Sequence, residues 1–192
     1  MSVVVNPYLS LSSVADRDQF LSLVRDVAHE TQENEPLCLA YCWTRAVAGV
    51  GDSPAMLQGL EVYASEEALA VTHRSGVAYK HMREVVAATG LLPYPKGGVP
   101  TYHPAGRGFL SKPGVPETVS PEDYFVVLQY AQPDLIQAEN VLAEEMETDD
   151  SVLAFWAFVP DNSEELAPVT IFARLAGPAY YGAFQEKIEA FE

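Results

Sequence analysis

The order strand–helix–strand–strand–helix is written twice along this chain. "VVVNPY" near the start has its echo in "FVVLQY", "LCLAYCW" in "SVLAFWA", and "RSGVAYKHMREV" in "LAGPAYYGAFQEK". A duplicated βαββα unit constrains the fold more than any composition does. Each copy makes an antiparallel sheet with its helices on one face. The bare face must be covered, and a second copy can cover it. The expected fold class is therefore α+β: two ferredoxin-like βαββα repeats whose antiparallel sheets pack face to face within one chain.

Local signals place the elements. Residues 2–9 are β-branched and end in turn residues, which predicts a strand. Asp16 reads as a helix N-cap with Gln19 as its capping-box partner. Phe20, Leu23, Val24, Val27 and Thr31 follow at helical spacing, and Pro36 biases Glu35 out of helical geometry. "LCLAYCWTRAV" and "MLQGLEVYAS" predict strands joined by the turn "VGDSP". Ser65 caps the next helical stretch, with Glu66 and Glu67 in its first turn. Gly76 interrupts it, and a further helix runs from Val77 to about Thr89. Residues 91–121 hold seven prolines and five glycines. They predict a connector that packs over a surface, with a short strand near 99–102. The expected organisation is a first repeat over 1–90, the connector over 91–121 and a shorter second repeat over 122–192. In that second repeat "YFVVLQYAQ", "SVLAFWAFV" and "APVTIFARL" predict strands. "PDLIQAENVLAEEMETDD" predicts a helix with Leu135, Ala138, Val141 and Leu142 on its inner face. "GPAYYGAFQEKIEAF" predicts the closing helix, with Pro178 near its first turn.

Composition narrows the partners. With 192 residues and 48% hydrophobic content, the chain can build a sizeable core. Its net charge of −16 argues against nucleic acid and anionic membranes. No apolar run approaches the roughly 18–20 residues that span a bilayer, and the start lacks a basic n-region and a long apolar core. The only cysteines, Cys38 and Cys42, fall in one strand. Regular alternation puts them on one face about 13 Å apart, too far for a disulfide. Few cysteines and no leader predict a cytoplasmic protein, as a monomer with an internal pseudo-dimer or as a homodimer.

The two repeats diverge at one place. The second has no counterpart of "SEEALAVTH", the corner between the third strand and its helix. Elsewhere, chemistry-bearing motifs are missing. There is no phosphate-binding glycine loop, no metal-spaced His/Cys cluster and no nucleophile elbow. "GGVPTYHPAGRG" is glycine-rich but lacks the strand-to-helix context for nucleotides.

The residues of "LEVYASEEALAVTHRS" and "AYKHM" resemble the antibiotic-biosynthesis-monooxygenase-like domains of the dimeric α+β barrel superfamily. The resemblance rests on Glu61, Tyr63, Glu66, Glu67, Ala68, Leu69, His73, Ser75 and Tyr79. It covers about the first 90 residues well and the second half in outline. "LAVTH" carries one residue more between leucine and histidine than the family spacing. The resemblance implies a pocket between sheet and helices, and oxygenation of electron-rich phenols or anthrones without metal or flavin. It implies an aromatic, polyketide-type substrate of secondary metabolism and no cofactor. Such chemistry needs a base, a dry cavity and groups that hold a developing oxyanion.

On that basis His81 and His73 are the candidate bases. Asn6 and Arg45 are candidates to hold the oxyanion, Trp43, Tyr63 and Tyr41 to form aromatic walls, and His103 to belong to a lid. Each also has a plain structural reading: a boundary or helix-end histidine, a core aromatic, a surface ion pair. Cyclisation, isomerisation or decarboxylation would use the same pocket, and a non-catalytic small-molecule or haem-binding module is the rival from another class. For haem, the resemblance points to Asn6 and His81, with Tyr63 where the family has tryptophan.

Overall fold

The computed structural model describes residues 2–46, 55–92, 101–130, 134–161 and 169–190, the side chains of 134–139 excepted. The chain divides into two compact units, Met1–Thr101 and Tyr102–Glu192. Both are α+β, each an antiparallel sheet with helices packed on it.

In the first unit, β1 (Val3–Val5) and β2 (Tyr8–Ser10) pair with the same edge of β4 (Met56–Tyr63). They are one strand broken at Asn6 and Pro7, not the continuous strand expected over 2–9. Pro7 has no N–H for a ladder, although its carbonyl accepts from Gly59 N at 2.8 Å. β3 (Cys38–Arg45) pairs with the other edge of β4. Helices α1 (Val14–Asn34) and α2 (Val77–Thr89) lie on this sheet. The cap of α1 is Ser13 rather than Asp16. The Ser13 hydroxyl accepts from Asp16 N at 3.1 Å and donates to the Asp16 carboxylate at 2.8 Å. Asp16 thus closes the box from inside the first turn. Gly90 ends α2 with a φ of 67°, which glycine adopts without a Cβ penalty.

Alternation along β4 turns Leu57, Gly59, Glu61 and Tyr63 to one face. Leu57 packs with Phe20, Val24 and Val27 of α1 and with Met82 and Val86 of α2. Tyr63 packs with Val5, Ala68 and Leu69. Each such buried apolar side chain contributes about 1.5–3 kcal/mol. A β-bulge interrupts β3: Cys38 lies opposite Tyr63, but Ala40 lies opposite Val62. Leu39 is the extra residue and is half exposed. The bulge flips the alternation. Cys38 therefore shares the helix face with Tyr63, while Cys42 points to the other face. The expected placement of the two thiols on one face fails for this reason. They are not joined in a disulfide.

In the second unit the sheet order is β5–β7–β8–β6, formed by β5 (Thr101–Pro104), β6 (Tyr124–Tyr130), β7 (Val152–Pro160) and β8 (Val169–Leu175). Helix α3 (Asp134–Thr148) and α4 (Tyr181–Glu189) accompany it. β5 extends past the strand expected near 99–102, of which residues 99 and 100 lie outside the described set. On α3 the buried residues are Leu142, Ala143 and Met146, whereas Val141 is exposed. The apolar arc is centred one position later than periodicity suggested; Leu135 and Ala138 lie outside the described side chains. Strand register also corrects the first repeat alignment by one residue. Val5 faces Glu61 as Val126 faces Ala173, so Val3 matches Tyr124.

Residues 105–121 of the connector, with the two that follow, are anchored within the second unit. Phe109 exchanges both backbone hydrogen bonds with Phe155. Arg174, buried with Asp123, holds the carbonyls of Pro116 and Thr118. Among the described residues, no helix is long and apolar enough to cross a membrane.

Candidate functional site

The extra residue in "LAVTH" is absorbed by the backbone. The segment Ala68–His73 is a π-helical turn, which accommodates one more residue per turn than an α-helix. Ala68, Leu69 and His73 are all buried as a result, while Ala70, Val71 and Thr72 between them are exposed. Ser65 supports the start of the turn by accepting from Ala68 N at 3.2 Å.

His73 is 1% exposed. Its Nδ1 lies 3.2 and 3.1 Å from the two carboxylate oxygens of Glu35, the residue that closes α1. Thr31, one turn earlier, donates its hydroxyl to Glu35 Oε1 at 3.0 Å. Burial lowers the pKa of His73, against the opposing pull of Glu35. A neutral ring facing a carboxylate carries its proton on Nδ1, which leaves the basic lone pair on Nε2. Three rings surround the imidazole: Tyr79 at 5.0 Å, Tyr63 at 5.2 Å and Tyr41 at 5.6 Å between centroids.

A second carboxylate faces the same layer. Glu61 lies across the strand pair from Tyr41 and accepts the Tyr63 hydroxyl at 3.0 Å. Burial pushes its pKa up to about 7, although the Tyr63 hydrogen bond favours the ionised form. Burial, together with the charge of Glu61, raises both tyrosines, so they remain protonated donors. Trp43 packs edge-on against Phe20 at 5.3 Å. Its buried Nε1 lies beside Glu61 and favours the ionised carboxylate, without a hydrogen bond of full geometry.

A cleft of about 180 Å³ opens beside this cluster, lined by Glu35, Pro36, Leu37, Cys38, Ala68 and Thr72. Burial and the nearby carboxylates of Glu35 and Glu61 push the Cys38 thiol up to about 12, so it is not a nucleophile at neutral pH.

Of the residues singled out from the sequence, His73, Tyr41, Tyr63 and Trp43 come together here. The others lie elsewhere. Asn6 is buried on the opposite face of the sheet, where its amide oxygen accepts from Gln58. His81 is exposed on α2, one position before the inward-facing Met82. Arg45 is exposed at the end of β3. His103 belongs to the second unit, its Nδ1 2.8 Å from the Asp161 carboxylate. Sequence reasoning missed Glu35 and Glu61 as members of the site. Glu61 had a signal: it is a carboxylate at a core-facing position of an apolar strand. Glu35 had none, because its partner is 38 residues away. Among the described residues, no group of three or more His, Cys, Asp or Glu side chains is placed to hold a metal ion.

No protein-family model matches the sequence, and no curated protein matches it. Solved structures do. A candidate monooxygenase from Lactobacillus acidophilus NCFM superposes with a TM-score of 0.76 at 13% identity, covering 98% of this chain and 86% of that one. One from Fusobacterium nucleatum gives a TM-score of 0.73 at 11% identity, covering 98% and 85%. A candidate antibiotic biosynthesis monooxygenase from Caulobacter crescentus CB15 is 28% identical over 52% of this chain and 84% of its own, with a TM-score of 0.39. The chain thus shares its α+β fold, over nearly its whole length, with two solved structures described as candidate monooxygenases.

Proposed function

We propose that the protein is a monooxygenase-like enzyme that oxidises an electron-rich aromatic small molecule without a cofactor. The observation that carries this reading is the buried His73–Glu35 pair, walled by tyrosines, whose Glu35 lines the adjoining cleft. Glu35 holds Nδ1–H and leaves Nε2 as the base. Removing a proton from the substrate makes a carbanion or phenolate rich enough to reduce oxygen. A C–O bond then forms, the O–O bond breaks with loss of water, and the carbon ends as a carbonyl. One oxygen atom enters the product, the other leaves as water, and the substrate supplies every electron.

The cleft is smaller than the roughly 300–1,000 Å³ of ordinary small-molecule sites. That favours a single-ring phenol over a three-ring anthrone. Incubation with a panel of phenols and anthrones, followed by oxygen uptake and product mass, tests the proposal. The expected result is one oxygen molecule consumed per product, with no added metal or flavin. Equal turnover without oxygen would instead favour cyclisation, isomerisation or decarboxylation by the same base.

A further inference from the structure

The two units carry the same β-bulge at the same place. Cys38 faces Tyr63 and Ala40 faces Val62 in the first; Val152 faces Leu175 and Ala154 faces Arg174 in the second. The flanking hydrogen bonds agree as well. Cys38 N donates to Glu35 O as Val152 N donates to Asp149 O, both at 3.0 Å. Ala64 N donates to Leu37 O as Ala176 N donates to Ser151 O, both at 2.9 Å. These anchors fix the correspondence of every residue on the helix face without recourse to sequence similarity.

In that register, the four strand residues of the first unit's cluster each meet an apolar residue in the second. Glu61 corresponds to Ala173, Tyr41 to Phe155, Tyr63 to Leu175 and Trp43 to Ala157. All four counterparts are buried in a core that also takes Leu142, Met146, Phe184 and Ile188. Glu35 corresponds to Asp149, whose carboxylate is turned to Ser151 and to Lys187 Nζ at 2.7 Å. His73 has no counterpart at all. Residues 64–76 separate β4 from α2, whereas only 176–177 separate β8 from the 3-10 turn Pro178–Tyr180 that leads into α4.

The structure assigns ligand binding to the first unit: each chain takes one small phenol in the cleft beside Glu35 and Ala68, and the second unit, whose described residues put apolar side chains at the matching strand positions, takes none. This inference rests on the reading that the His73 cluster receives a substrate, and it adds the stoichiometry and the division of labour. Burial of a cluster of two carboxylates, an imidazole and three phenols carries a standing desolvation cost. A tandem chain can confine that cost to one unit and keep the matching strand positions of the other apolar.

Calorimetric titration of the full chain with 4-nitrophenol tests the inference. Saturation at one equivalent per chain is expected. Thr72→Trp fills the cleft from an exposed position and should weaken binding at least tenfold. Phe155→Leu and Ile171→Val alter the corresponding face of the second unit and should leave affinity within twofold, with thermal unfolding confirming that each variant is folded. Two equivalents per chain, no saturable binding, or affinity that falls with the second-unit variants and survives Thr72→Trp would overturn it. One-to-one binding abolished by Thr72→Trp, with no oxygen uptake on any substrate, would sink the oxygenase reading and leave this inference standing.

Discussion

His73 Nδ1 lies 3.1 Å from Glu35 Oε2, and a π-helical turn and the last residue of α1's closing turn meet to make that contact. A carboxylate in this position orients an imidazole and selects its tautomer. Glu35→Gln keeps the shape but removes the charge that holds Nδ1–H. Turnover should fall by about 10²-fold or more, with KM little changed. Stability should drop by only about 1–2 kcal/mol. Steady-state kinetics and urea unfolding of the same variant separate the two effects; equal loss of both would mean that the pair only supports the fold.

The pH dependence of stability should carry two opposed slopes. Glu61 keeps its proton up to about 7 in the folded protein, against 4.5 for an ordinary glutamate. Between those values the unfolded chain releases a proton that the folded one retains, so stability falls as pH rises, by roughly 3 kcal/mol in all. His73 acts in the other direction. Burial lowers its pKa below 6.5, so the unfolded chain binds its proton first and stability falls as pH drops below that value. Glu61→Gln should erase the first slope and keep the second. Urea midpoints from about pH 4 to 8 would show this, and an unchanged first slope would place the titration elsewhere.

Glu30 caps a helix that is not its own. Its carboxylate on α1 accepts from Val77 N at 2.9 Å and from Ala78 N at 2.6 Å, the first two amides of α2. Glu30→Ala should cost about 1 kcal/mol. Amide exchange at Val77 and Ala78 should accelerate more than exchange in the middle of α2. Uniform acceleration would argue against a local cap.

The Arg174–Asp123 pair ties the connector to β8. Both side chains are buried, and the guanidinium also holds two backbone carbonyls. Arg174→Ala strands the Asp123 charge and should cost about 3–5 kcal/mol. The double variant Arg174→Met with Asp123→Leu should recover much of that loss. Thermal or urea unfolding measures both, and a double variant as weak as the single would refute the charge argument.

Gly108 approaches Trp156 so closely that an added Cβ would lie 2.0 Å from the indole. Gly108→Ala should therefore displace the ring, cost about 1–3 kcal/mol and shift the Trp156 fluorescence. A variant with the parent's spectrum and stability would mean that the connector moves aside freely.

The amino-acid sequence by itself determined the two-copy α+β plan, because apolar periodicity and turn residues are local signals and both repeats carry them. It also placed the divergence between the copies at "SEEALAVTH", and among its eight candidate site residues were His73, Tyr41, Tyr63 and Trp43, which the fold brings together. Tertiary structure alone decided the rest. A one-residue bulge in β3 moved Cys38 to the helix face and parted it from Cys42. A π-helical turn brought His73 inward despite its extra residue. The end of α1 supplied Glu35 across 38 positions of sequence. Asn6 lay on the far face of the sheet, and His81 lay in solvent on α2. For Cys38 and His73 the physical reason is the same. Alternation and helical period say which side a residue takes only while the backbone stays regular, and a single inserted residue reverses or restores that side.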